Sequence, residues 1–311
     1  MIRPILFALS LAVPAAAEPG LTAVPFLQRA LGARASGMGS AFVAVQDSID
    51  SMQYNPGALG TLRAPSLTST YLNGFGSTTY GFLGYAHPSR YGTFATGALY
   101  YNAGSIDLNL SNGTTGRVTA EEDTAWTLSY ALALTRRLSL GATYRFLRLS
   151  LAETAHATSS QSDLGVLWSP PIKYLSLGAA YQYLGPDIRF ENVGDPSPKT
   201  LRYGLALRFP DINAKRIDPS VDLDAFDTTV AADMVQTLHE KKSPRMGAEF
   251  GLRPALLTRV AIRTGWIFNR DSESFTFGAG LQHGDLSFDY AFGRARDLDN
   301  AQQLTLTYRF N

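Results

Sequence analysis

From Pro65 to the carboxyl end the chain alternates between bulky apolar residues and small or polar ones, position by position. A period of two marks strands with one apolar face. About fourteen such segments follow one another, each close to the ~9–11 residues that a tilted membrane strand needs. The clearest puts Leu201, Tyr203, Leu205, Leu207 and Phe209 on one face, against Arg202, Gly204, Ala206 and Arg208 on the other. Trp126, Leu128, Tyr130, Leu132 and Leu134 form a second such face, and Leu304, Leu306, Tyr308 and Phe310 a third. Tyr80 and Phe82 are assigned to the bulky face of the second strand. The segment from about Leu223 to Gln236 is the least regular, and a bulge is expected near Ala225 and Phe226.

A soluble sandwich also alternates, with its apolar face turned inward. Two features favour a membrane barrel. The apolar face is rich in aromatic residues, as in the girdles of lipid-facing barrels. The links also alternate in length, as short periplasmic turns and longer extracellular loops do. HPSRYG, TRRL, SPPIK, RPAL and HGD are short, whereas 103–122, 151–159, 185–199 and 293–300 read as long. The hairpin around Gly74, Phe75 and Gly76 and the link from Pro210 to Val221 break the rule. The expected fold is all-β, an antiparallel transmembrane β-barrel of about 14 strands spanning residues 65–311.

The stretch from Phe26 to Leu62 has no period of two. Gly, Ala and Ser crowd its first half, and residues this small let backbones approach closely. Asp47 and Asp50 read as a weak helix-capping pair. Asn55 followed by Pro56 sets an N-cap and a first helical position. Residues 18–64 are therefore expected to form a plug inside the lumen, since a barrel of this width must be filled. Arg34, Asp47 and Asp50 would then be enclosed, where unpaired charge is costly. Arg34 is expected to pair with one of these acids or with an acid of the wall. The Asn55-Pro56 turn either holds the plug shut as a gate or serves packing alone.

Composition narrows the function. Residues 1–17 read as a signal peptide, with Arg3, a short apolar core and Ala15-Ala16-Ala17 before Glu18. The 27 Lys+Arg are nearly balanced by 26 Asp+Glu, which argues against a nucleic-acid partner. There is no cysteine, whereas 17 Phe, 15 Tyr and 3 Trp suit aromatic girdles. His87, His156, His239 and His283 are scattered, so no metal site is expected. Asp222, Asp224 and Asp227 lack the glycine and distal glutamate of a calcium loop. No phosphate loop and no G-x-S-x-G occurs. The chain is read as having no cofactor and as not being an enzyme.

GARASGMGSAFVAVQDSIDSMQYNPGAL resembles the amino-terminal signature of the PorV/PorQ family of outer-membrane proteins, within the FadL-like superfamily. The matching positions are Gly32, Arg34, Gly37, Met38, Gly39, Asp47, Asp50, Asn55 and Pro56; Gly57 stands where the family usually carries alanine. LGPDIRF (184–190), GAEF (247–250), RTGW (263–266), FGAGL (277–281) and DYAF (289–292) follow in the family's order, and the chain ends on LTYRFN. The resemblance implies a bacterial outer-membrane location, with outer-membrane lipid as a partner. It implies either a FadL-like barrel that binds or passes hydrophobic small molecules, or a PorV-type component that binds cargo of type IX secretion. A purely structural plugged barrel is the third possibility. FadL-like proteins carry a lateral break at the third strand, which here directs attention to Gly97 and Gly104.

Overall fold

A computed structural model describes residues 22–74, 78–109, 115–190, 193–212, 225–255, 257–270, 274–294 and 300–310. The stretch expected to be a signal peptide, the tip of the first hairpin, Asp222 and Asp224 lie outside them.

The first half of the wall contains β1 (Ser66–Asn73), β2 (Thr79–Ser89), β3 (Gly92–Asn102), β6 (Glu121–Ala133), β7 (Leu138–Leu151), β8 (Ala155–Trp168) and β9 (Leu175–Leu184). The second half contains β12 (Thr200–Ile212), β13 (Ala225–Thr237), β14 (Ser243–Ala255), β15 (Thr258–Ile267), β16 (Phe275–His283), β17 (Leu286–Arg294) and β18 (Ala301–Arg309). Among the described residues these 14 strands close into one antiparallel barrel, with β1 paired to both β2 and β18. Closure leaves no sheet edge, so every wall strand has partners for its backbone groups on both sides. Two small hairpins stand outside the wall: β4 (Ser105–Asn109) with β5 (Thr115–Thr119), and β10 (Ile188–Arg189) with β11 (Gly194–Asp195). No described helix is long and apolar enough to cross a membrane.

Burial is inverted relative to a soluble protein. Large apolar side chains point outward: Trp126 is 61% and Leu128 63% exposed, and Leu205, Phe288 and Leu306 share that surface. The buried face carries Ser, Thr, Gln, Asp and Arg, among them Arg145, Asp163, Arg202 and Glu249. Such a surface is stable against hydrocarbon rather than water.

Several links depart from the sequence reading. The long connection expected at 151–159 is a tight turn, because Ala152 and Glu153 take φ of 50° and 60° and reverse the chain directly. The links 103–122 and 185–199 are longer, and they contain the two small hairpins. Tyr80 and Phe82 point inward, each 6% exposed, because they pack on the plug. An irregularity does sit at Phe226, but β12 holds the extra residue, between Phe209 and Ile212. A second bulge lies between β8 and β9, where Tyr183 takes φ of 58°.

Arginine placed at Leu205, on the lipid face of β12, should cost about 2–4 kcal/mol near the midplane. Denaturant titration of the barrel refolded into vesicles measures this. A cost near zero would mean that the facing of β12 is reversed.

Candidate functional site

The lumen is filled by residues 22–64. Pro25–Gln28 makes a short 3₁₀ turn, Ala33–Gly37 and Ser51–Tyr54 single helical turns, and Pro56–Thr61 a second 3₁₀ turn. Apolar side chains such as Met38, Phe42, Met52 and Leu59 are fully buried, and where glycine, alanine and serine crowd together the backbone itself meets the wall.

An irregular segment has no ladder partners, yet its buried N–H and C=O groups must be satisfied. Wall side chains supply them. Asp233 Oδ2 accepts from the N–H groups of Phe42 at 2.8 Å and Val43 at 2.9 Å. Thr276 Oγ1 accepts from Gly39 N at 2.9 Å and donates to Gly37 O at 3.2 Å. Thr305 Oγ1 accepts from Ala33 N, and Ser176 Oγ donates to Ala44 O. Arg202 Nη1 donates to Ser40 O at 3.0 Å and lies 3.9 Å from Asp233.

The backbones also touch. A Cβ on Gly39, which has φ of 62°, would lie 2.8 Å from Met246 O and 2.9 Å from Trp266 N. One on Gly37 would lie 3.0 Å from Gly278 Cα, and one on Gly57 2.8 Å from Gly165 O. Gly141, Gly165, Gly178, Gly247 and Gly265 line the facing wall and abut Pro56, Asn55, Val43, Met38 and Gly39 in turn. Alanine at Gly57 would collide with β8, which accounts for glycine there.

Arg34 pairs with an acid of the wall. Its Nε and Nη2 each donate to Glu249 at 2.9 Å, a bidentate contact. Glu249 also accepts from Arg263 Nε at 2.6 Å and Arg259 Nη2 at 3.1 Å. Arg259 reaches on to Asp227, and Arg263 to Asp289 at 2.7 Å. Asp227 is thus a member of an ion-pair network. Asp47 lies 3.9 Å from Arg309. Asp50 precedes the Ser51–Tyr54 turn, but its side chain makes no cap hydrogen bond, so the expected Asp47–Asp50 capping pair does not form. Its carboxyl is pushed up to about 7 by burial and by the nearby Asp289. Gly32 makes room for it, since a Cβ there would lie 2.5 Å from Asp50 Cγ.

Asn55 links plug and wall. Its Oδ1 accepts from Gly57 N at 2.9 Å, the expected cap, while Nδ2 donates to Val43 O and, in β8, Val166 O. Gly97 and Gly104 are not brought together at an opening. Gly97 pairs with Gly84 on β2 and Thr127 on β6 in unbroken ladders, and the Phe82 ring covers its missing side chain. Gly104, with φ of 83°, turns the chain into β4.

Around this seat the lumen has two characters. At the end that holds Ser66 and Arg309, the one the loop lengths assign to the periplasm, Arg34, Asp50, Arg208, Glu249, Asp289 and Arg309 line a polar cavity of about 260 Å³. Toward the opposite end, assigned to the extracellular side, an apolar cluster includes Phe26, Leu27, Tyr80, Phe82, Leu99, Leu147 and Leu149. Phe26 stacks on Tyr101, with ring centroids 5.3 Å apart and planes at 3°. Ile188, on β10, is buried against the same cluster. Outside, a groove of about 610 Å³ crosses the lipid face of β3, β6 and β7, walled by Phe94, Tyr130 and Tyr144.

A family model described as "Type IX secretion system protein PorV" matches residues 19–229, about two thirds of the chain. The chain belongs to the PorV family. No curated protein sequence matches it. Among solved structures, the CymD monoaromatic hydrocarbon channel is 11% identical, with a TM-score of 0.58 over 90% of this chain and 98% of that one. The Pseudomonas putida toluene transporter TodX is also 11% identical, with a TM-score of 0.58 over 90% and 97%. At these identities the likeness shows a shared fold. Fold and family together make this PorV-family chain a bacterial outer-membrane barrel.

The sequence reading did not find Glu249, Arg263, Asp289 or Asp233. For the first three a signal was present, since GAEF, RTGW and DYAF each contain a charged residue among apolar ones.

Glu249→Gln leaves Arg34 with no other acid partner among the described residues and should cost about 3–5 kcal/mol. Adding Arg34→Met should restore part of that loss; purely additive effects in unfolding titrations would show that the pair is uncoupled. For Asp50, the folded carboxyl titrates near 7 instead of the ordinary 3.8. Its contribution to stability is full below pH 3.8 and is lost as pH rises through 7. Asp50→Asn should therefore gain in stability relative to wild type between pH 5 and pH 8, as read from thermal melts at both pH values. A constant difference would refute this.

Proposed function

We propose that this barrel binds hydrophobic small molecules at the extracellular end of its lumen and passes them across the outer membrane. The observation that carries this reading is the apolar cluster, where Phe26 and Leu27 occupy an aromatic and aliphatic chamber formed by β2, β3 and β7. A stacked ring held by a short segment marks a place where another ring can stack. The shared fold of CymD, a monoaromatic hydrocarbon channel, and TodX, a toluene transporter, supports the same ligand class.

Residues 33–62 are fixed by wall hydrogen bonds and serve as packing in this reading. The movable part is 22–31, held by apolar contact and a few hydrogen bonds such as Tyr183 Oη to Leu27 O at 2.6 Å. Ion pairs fill the lumen below, so an apolar ligand leaves more favourably through the wall into lipid. That exit requires β3 to part from a neighbour near Gly97, where two glycines face each other across β2 and β3.

A second reading rests on the family match: a PorV-type secretion component, whose extracellular hairpins β4–β5 and β10–β11 would contact exported protein. Toluene binding separates the two. In purified barrel, Phe26→Ala should open an apolar cavity and raise toluene affinity about tenfold, equivalent to 1.4 kcal/mol. If neither form binds toluene and the wild type retrieves exported proteins from its host, the secretion reading replaces the transport one.

A further inference from the structure

Four arginines of the wall are buried: Arg145, Arg202, Arg245 and Arg263. Three have acids. Arg145 lies 3.1 Å from Asp163, Arg202 3.9 Å from Asp233, and Arg263 2.6 Å from Glu249. Arg245, on the lumen face of β14, is 3% exposed, and among the described residues its Nε has no hydrogen-bond partner. A guanidinium removed from water without a counter-charge is strongly destabilising.

Asp233, the register partner of Arg245 on β13, is one carboxylate for two buried arginines, since it also lies 3.9 Å from Arg202. Arg245 lines a cavity of about 200 Å³ together with Gln28, Arg29, Ser40 and Arg270; no described carboxylate lines it, and Arg270 lies 3.9 Å from Glu240. Arg270 donates to Gln28 Oε1 at 2.8 Å, so that oxygen is already engaged. The Oδ2 of Asp233 accepts from the plug backbone, and its Oδ1 has no hydrogen-bond partner among the described residues. Among the described residues the Ser40 hydroxyl, 1% exposed, has no close hydrogen-bond partner, and the Tyr54 phenol lies beside it. The periplasmic cavity differs in this respect, since acids stand among its arginines.

We propose that this cavity is a binding site for one small oxyanion, a phosphate or a carboxylate, held by Arg245 with Ser40 and flanked by Arg29 and Arg270. The planar fork of a guanidinium matches two oxygens of such an anion. The volume equals about six or seven waters, which suits one oxyanion with part of its hydration and excludes a nucleotide. Arg270 lies in the link between β15 and β16, so the site belongs to the extracellular end of the plug. The site is independent of whether the apolar chamber carries ligands.

The test uses the full barrel in neutral detergent at constant ionic strength, titrated calorimetrically with inorganic phosphate, acetate and octanoate. One saturable site is expected, with a melting temperature that rises with anion concentration. Arg245→Gln should weaken binding by at least about tenfold, as loss of a charge-assisted contact does, and should abolish the rise. Lys242→Gln, at an exposed position, should leave both intact. If Arg245→Gln does not fold, Ser40→Ala should lower the affinity in its place. Equal affinity for acetate and octanoate identifies a free anion, and tighter octanoate binding the headgroup of a longer molecule; either supports the site. Failure of all three anions to bind wild type, or equal binding to Arg245→Gln and wild type, overturns the proposal.

Discussion

Two backbones can lie at van der Waals distance only where side chains are missing between them, and the seat of the plug depends on that constraint. Gly37 and Gly39 meet glycines on β15 and β16, and Gly57 meets one on β8. The approach brings plug carbonyls and amides within reach of short wall side chains such as Thr276, Ser176 and Thr305. Longer side chains at the contact would hold the plug away from these groups and leave them unsatisfied. Small residues in the plug and glycines in the wall are thus two halves of one arrangement.

The ion pairs build on this contact. With the backbones this close, Arg34 enters a lumen from which much of the water is excluded, and Glu249 is shared by three guanidinium groups. Such a network adds less to net stability than its short distances suggest, because every member is desolvated. It does fix position, since only one depth of the plug matches Arg34 to Glu249 and Asp233 to the amides of Phe42 and Val43.

The barrel was legible in the sequence because a period of two survives in every wall strand. The period gives the parity of a side chain but not its direction. It places Tyr80 and Phe82 on one face of β2 without showing that this face turns inward to the plug. The cap at Asn55 was legible because it is local, with Oδ1 reaching only to Gly57. The partner of Arg34 was not, since Glu249 lies 215 residues away and looks like other lumen acids in one sequence. Arg245 and Arg202 likewise share the same alternating context, and only their three-dimensional neighbours show that one acid, Asp233, stands beside both.

The hydrogen bond from Ala33 to Thr305 spans 272 residues. Residue 305 belongs to the strand that closes the ring against β1. Gly39 rests against the paired residues Met246 and Trp266 of β14 and β15. The seat of the plug is therefore complete only when the last wall strand is in place, and the plug acts as a clasp between the first and last strands of the ring.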